Sequence, residues 1–207
     1  MSERDKVYAY VRDSVISNPA SVGRFMDERE IAAQVGVSRT PVREALLILA
    51  AEDLIELIPR RGAYLAPLTP SDINELMGFR ELLETNAARV VIGRRCTPVR
   101  AMHDALAAQE KLAGGDEPGE FLAQDLHFHS SLVEAAGNTL ILKAYRGLRT
   151  RQLRTGLSAV AATPGRRAEV VDEHRAILSA VDSGDADAAI AAITDHLAAT
   201  QKILALR

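Results

Sequence analysis

The sequence predicts a mainly α protein in two parts: a small helical unit closed by a β-hairpin, then an all-helical antiparallel bundle. Three observations predict it. Alanine and leucine are abundant, aromatic residues make up only 4% and tryptophan is absent, a balance that favours helices. The stretch "LAPLTPSD", residues 65–72, sets two prolines between short segments and long helical periodicities. Such punctuation marks a domain boundary, so the domains are residues 1–67 and 68–207. Only "IELIPRRGAYLAPL" alternates in the manner of paired strands.

Whole-chain properties narrow the class. The 207 residues are 47% hydrophobic and 26% charged, an ordinary globular balance. No apolar run approaches the roughly 18 residues of a membrane span, and the start "MSERDKVYAY" lacks the apolar core of a signal peptide. The single cysteine, Cys96, has no partner for an internal disulfide. A cytoplasmic protein with no membrane partner is expected. The glycines show neither dinucleotide-binding nor P-loop spacing.

In the first domain, "DKVYAYVRDSVI" places Val7, Val11 and Ile16 at helical spacing. "DEREIAAQVG" opens on Asp27, an N-cap, with Glu30 three residues on as a capping box, and stops at Gly36. "VSRTPVREALLILAAEDL" begins a third helix, capped by Ser38 or Thr40. Pro41 is tolerated near a helix start, and Val42, Leu46, Ile48 and Leu49 supply the buried side. Two strands around "PRRG" close the unit. Helix, turn, helix and hairpin in this order form a winged helix-turn-helix, whose third helix enters the DNA major groove N-terminal end first. Arg39 and Arg43 lie four apart there, and arginine forks match guanine or phosphate; Arg60 and Arg61 stand at the wing tip beside Gly62. Residues 1–66 carry nine Lys/Arg against ten Asp/Glu, a net charge of −1. Charge alone therefore leaves DNA reading and ordinary surface solvation equally open.

The string "EREIAAQVGVSRTPVREALLILAAEDLIELIPRRGAYL" resembles the DNA-binding domain of the GntR family of bacterial transcription regulators, and "GVSRTPVREAL" is the most specific part of the likeness. The resemblance implies that Arg29, Ser38, Arg39, Thr40 and Arg43 contact DNA and that Gly62 approaches it from the wing. The linker "SNPASVGRFMDE" departs from the family by lacking a proline-glycine pair.

The second domain reads as long helices broken at "LAGGDEPG", "AAGN", "AATPG" and "DSGD". In "EFLAQDLHFHSSLVEAAG", Leu122, Leu126, Leu132 and Val133 make an apolar stripe that also holds Asp125 and His129. His127 falls opposite, with Gln124, Ser131 and Glu134, and His103 is assigned to another solvated face. His174 sits in the seam Val170, His174, Ile177, Val181, and His196 borders the seam Ile190, Ile193, Leu197. His174 lies ten residues before Gly184 and His196 twelve after it. At the helical rise that is roughly 15 and 18 Å from the turn, so antiparallel folding brings the two level. Buried polar groups need partners. Core histidines bonded to one another would satisfy that, but one Asp and three His, all inward, suit a divalent metal, zinc first with nickel or manganese as alternatives.

"DLHFHSSLVEAAGN", "DEHRAIL" and "GDADAAIAAITDHL" resemble the all-helical effector domain, FCD, of the FadR subfamily of GntR regulators. Many members hold a metal on an Asp and three His in this order, and Asp125, His129, His174 and His196 match it. The short domain resembles the VanR-like branch, which implies six helices rather than seven. The resemblance also implies a small organic acid as effector near the metal. Arg80 falls on the seam Ile73, Met77, Arg80, Glu84, Ala87, Val91; it either pairs with Glu84 or binds that carboxylate.

The expected function is thus a ligand-responsive transcription regulator with no catalytic residues, acting on a double-stranded DNA operator. A homodimer is expected because two-fold proteins match two-fold operators. The resemblance implies a repressor and a short palindrome with GT and AC half-sites. A metal-dependent helical enzyme and a constitutive DNA-binding protein with a purely structural metal are the competing expectations.

Overall fold

A computed structural model describes residues 1–16, 18–115 and 118–205. Ser17 of the expected linker, and Asp116 and Glu117 of the expected break "LAGGDEPG", lie outside the described residues. The chain forms two compact units, Met1–Leu68 and Thr69–Arg207.

In the first unit, α1 (Glu3–Tyr10) is capped by reciprocal bonds between Ser2 and Asp5 and continues as a wider π-wound turn over Val11–Ile16. Val7, Val11 and Ile16 are all buried, as their spacing predicts. The second helix, α2 (Glu28–Val35), starts from Asp27, whose carboxylate accepts the Arg29 N–H at 2.7 Å. The expected reciprocal bond from Glu30 is not among the described hydrogen bonds; a single cap suffices to satisfy one of the orphan donors. Gly36 ends α2 with φ +75°, the left-handed conformation that favours glycine. Helix α3 (Arg39–Ala51) has Ser38 at its N-cap position, but neither expected hydroxyl caps it. Pro41 is the third helical residue rather than the first, and its missing N–H is still one the first turn cannot pair. Ala45 joins Val42, Leu46 and Leu49 on the buried side, whereas Ile48 is only half-buried.

Strands β2 (Glu56–Ile58) and β3 (Gly62–Tyr64) form the expected hairpin. A third strand, β1 (Phe25–Met26), pairs antiparallel with the other edge of β3, giving the order β1-β3-β2. Two residues are too few to show an alternation, so β1 leaves no trace in the pattern. Ile31, Leu49, Leu54, Ala63 and Leu65 belong to one core shared by helices and wing.

The second unit contains α4 (Pro70–Gly93), α5 (Val99–Leu112), α6 (Pro118–Ala135), α7 (Thr139–Gly147), α8 (Arg149–Ala162), α9 (Arg166–Ser183) and α10 (Ala186–Ala205). Thr69 and Asp72 cap α4 reciprocally, with Pro70 in its first turn. Asn138 caps α7, and Gly184, at φ +75°, ends α9 before Asp185 accepts the Ala188 N–H of α10. The helices number seven among the described residues, not the six implied by the domain's length. Leu148 closes α7 and opens α8 with no loop between them, so a break occurs that length cannot reveal. Helix α10 packs on α4, α8 and α9, and α6 packs on α4, α5 and α8. His103 and His127 are exposed as expected, but Ser131 is buried and donates to the His127 carbonyl at 2.8 Å.

Candidate metal centre and nucleic-acid interface

Helix α6 supplies Asp125 and His129, α9 supplies His174 and α10 supplies His196. One potential ligand atom from each of the four lies within 4.8 Å of every other. His129, His174 and His196 are 3% exposed or less. The closest pair is His129 Nε2 and His174 Nε2 at 3.1 Å, and His174 Nε2 is 3.5 Å from Asp125 Oδ1.

Each imidazole meets a polar side chain at Nδ1, His174 and His196 through hydrogen bonds and His129 through a close contact with a carboxylate. His129 Nδ1 lies 2.8 Å from Glu84 Oε2 on α4, His174 Nδ1 bonds Gln109 Oε1 on α5 at 2.7 Å, and His196 Nδ1 bonds Glu173 Oε2 on α9 at 2.6 Å. An acceptor at Nδ1 selects the tautomer that leaves the Nε2 lone pair free, the usual arrangement behind a metal-binding histidine. Burial pushes His174 well below the ordinary histidine range. Burial also lowers His196, against the opposing bond to Glu173. His129 Nε2 and His174 Nε2 stand 3.1 Å apart, so either one ring's N–H donates to the other or a cation lies between them. Two nitrogens bound to one ion at roughly 2.1 Å stand about 3.0–3.4 Å apart in octahedral or tetrahedral geometry. The donor set therefore fits a divalent metal.

Glu84 joins the centre to the rest of the bundle. Its carboxylate accepts Arg80 Nε and the Tyr145 hydroxyl, each at 2.8 Å, and faces His129. Burial alone would raise this carboxyl, but the Arg80 charge, then His129, outweigh it and hold it well below the carboxylate range. Arg80 makes the Glu84 pair that was one of its two expected roles, and its Nη2 has no acceptor among the described residues. Arg80, Asp125 and His196 line one cavity of about 30 Å³ together with Gln152 and Arg166, room for little more than water. Arg166 clamps Glu173 through two bonds of 2.5 and 2.9 Å. Gln109, Glu173 and Arg166 were not singled out from the sequence. Gln109 did carry a signal, since it falls seven residues after buried Met102 on the apolar side of α5.

In the first unit, Ser38, Arg39, Thr40 and Arg43 are exposed around the start of α3, and Arg29 is exposed in the first turn of α2. Arg43 Nε donates to Glu28 Oε2 of α2 at 2.9 Å. Gly62 opens β3 at φ +100°. At the wing tip Arg60 takes φ +64°, and the Arg61 guanidinium stacks 4.3 Å from the Phe25 ring centre.

A winged helix-turn-helix with an exposed basic helix start, followed by a helical unit with a His/Asp cluster, defines a bacterial-type DNA-binding transcription regulator. The chain belongs to the GntR family: residues 3–65 match "Bacterial regulatory proteins, gntR family" and residues 75–199 match the "FCD domain". It is 32% identical over 200 residues to the probable D-xylose utilization operon transcriptional repressor of Paenarthrobacter nicotinovorans, covering 95% of this chain and 88% of that one. It is also 32% identical over 216 residues to the Uxu operon transcriptional regulator of Escherichia coli K12, covering 93% and 82%. Among solved structures, a putative GntR regulator from Rhodococcus sp. RHA1 superposes with a TM-score of 0.85 over all of both chains at 24% identity. The chain is therefore a transcription regulator and not an enzyme, which overturns the competing expectation of a metal-dependent catalyst. Among the described residues no helix is long and apolar enough to cross a membrane.

Proposed function

We propose that this chain is a repressor that binds a short palindromic operator as a homodimer and releases it when a small organic acid reaches a metal in the helical unit. The metal, zinc in the first instance, is held by Asp125, His129, His174 and His196. The observation that carries the reading is the convergence of Asp125 and three buried histidines, each with a polar partner at Nδ1, beside a buried arginine with an unused N–H. One carboxylate oxygen of the acid completes the metal's coordination and another accepts from Arg80 Nη2. The cavity is small, so the acid enters only if the helices around it, α4 among them, move apart. Helix α4 starts at Pro70, two residues after the first unit ends at Leu68, and its displacement changes the spacing of the two DNA-reading heads. Half-site spacing is a strict requirement. Taking the operator from nearly full to nearly empty requires the acid to favour the released state by about 5.5 kcal/mol.

On the DNA side, Arg39 and Arg43 direct their forks to guanine edges or phosphates. Arg29, Ser38 and Thr40 bond the sugar-phosphate backbone, and Gly62 lets the wing backbone approach it. The relative named a repressor supports the sign of regulation.

The test is operator release on protein purified without chelator. Wild type should carry about one divalent ion per chain and release operator with one member of a panel of small organic acids. His174→Ala should lose most of the ion and the response; exposed His127→Ala should keep both. Arg80→Lys keeps a charge beside Glu84 but cannot reproduce the fork. It should bind operator normally and need at least ~10-fold more acid for release, the worth of one charge-assisted bond. Ion-free wild type, or release by the lysine variant at unchanged acid concentration, would count against the corresponding half of the reading.

A further inference from the structure

We infer that the outer stripe of α4 is the two-fold interface of the homodimer: a second copy of this chain lies antiparallel across it, with Leu82 on the axis and Glu75 of each copy meeting Arg89 of the other. The inference rests on the homodimer reading above and adds where the two copies join.

Helix α4 packs on α6, α7, α8 and α10. Its flank toward α10 is satisfied, since Glu81 accepts from Thr194 at 3.0 Å and Asn74 accepts from Gln201 at 2.7 Å. Its outer side is not covered. Leu82 is 64% exposed and Phe79 39%, on a helix whose inner side buries Leu76, Met77 and Leu83. At about 3.6 residues per turn, Glu75, Gly78, Phe79, Asn86 and Arg89 all fall within about 60° of Leu82. Glu75 and Arg89 are exposed, and no ion pair holds Arg89 among the described residues. Gly78 stands inside the helix, where glycine is weaker than alanine, yet a Cβ there would meet nothing within 4 Å. Packing within the chain gives no reason for a glycine at this point; a close neighbour from outside does.

Charge and symmetry decide the occupant and its direction. Glu75 lies seven residues before Leu82 and Arg89 seven after it, each roughly 10 Å along the helix axis. In a two-fold contact, residue i of one copy meets j of the other and j meets i. With the helices antiparallel about Leu82, Glu75 meets Arg89 twice, and Gly78 leaves room for Asn86 twice. A parallel pair would set Glu75 on Glu75 and Arg89 on Arg89, and like charges repel. A crossing angle of about 20°, common between packed helices, keeps the charged ends within reach of each other. The stripe is apolar at its centre and charged at its ends, the layout of an interface core and rim. A second copy matches it about its own midpoint; an unrelated partner would have no cause to.

Sedimentation equilibrium of the full chain, purified without chelator, tests this. Wild type should be a dimer. Leu82→Glu sets two carboxylates on the axis and should weaken the dimer at least ~100-fold. Far-UV circular dichroism should not change, because Leu82 is exposed within the chain. Glu75→Arg and Arg89→Glu alone should each weaken the dimer at least ~10-fold, since the symmetry counts each change twice. Mixed together, these two variants should form a heterodimer about as tight as wild type, and the double variant should pair with itself equally well. Recovery on mixing is a result that a damaged fold cannot produce. Charge variants that dimerise like wild type, or that fail to recover on mixing, overturn the antiparallel pairing; a dimer that Leu82→Glu leaves intact overturns the interface. Either result leaves the homodimer standing. A wild type that is monomeric at concentrations that saturate operator overturns both.

Discussion

Arg43 and Arg80 are each held by a glutamate through Nε, at 2.9 Å from Glu28 and 2.8 Å from Glu84. The chemistry is the same and the setting is opposite. The first pair has side chains 63% and 30% exposed, the second 6% and 0%. Water screens the Arg43 pair, so it contributes little to stability, of order 0–1 kcal/mol, and its guanidinium can turn toward DNA. The Arg80 pair cannot be screened, and Glu84 also accepts from Tyr145 and backs His129. Each member of that network sets the cost of losing another. The winged unit thus presents groups that act one at a time, whereas the helical unit holds groups that act together.

The largest expected effect tests the buried side. Glu84→Ala strips Arg80 of its partner inside the bundle, and breaking a buried pair typically costs about 3–5 kcal/mol. Chemical denaturation should show that loss, together with metal affinity lowered ~10–100-fold through the freed His129 ring. A loss no greater than that of an exposed pair would erase the contrast between the two arginines. On the exposed side, Arg39→Ala and Arg43→Ala should each weaken operator binding by about 1–3 kcal/mol if the fork reads a base. Denaturation midpoints should not move. Equal operator affinity at matched salt in both variants would remove α3 from the recognition surface.

The two units were legible in the sequence for different reasons. In the winged unit a contiguous string, "GVSRTPVREAL", holds most of the proposed contacts, so local order is enough to nominate them. In the helical unit the phase of α6 and the residue counts around Gly184 put His129, His174 and His196 on inward faces, and their rings stand 4.8–5.0 Å apart. What backs the histidines was harder to read. Glu84 announced itself as a carboxylate on an apolar seam, but its bond to His129 depends on α4 packing against α6, 45 residues away. Glu173 sits beside His174 yet serves His196 across the α9–α10 seam. Arg166 begins a helix after Gly165, where a surface arginine is the ordinary expectation, and is 2% exposed because Glu173 and Thr200 receive it. Periodicity reports which face of a helix is inward; it does not report which neighbour that face meets.

The smallest expected effect sharpens the exposed side of the comparison. Glu28 orients Arg43 by taking its Nε, which leaves the two terminal amino groups to meet a base. Glu28 also places a negative charge near the phosphates, which repels DNA of any sequence. Glu28→Gln weakens the first effect and removes the second. Binding to unrelated DNA should therefore strengthen, most clearly at low salt where phosphate electrostatics dominate. The ratio of operator to unrelated-DNA affinity should fall by up to ~5-fold, about the upper worth of an exposed pair. Competition titrations at two salt concentrations separate the two terms, since the repulsion is screened and the loss of orientation is not. A ratio equal to that of wild type at both salts would mean that Glu28 only tethers Arg43 in the absence of DNA.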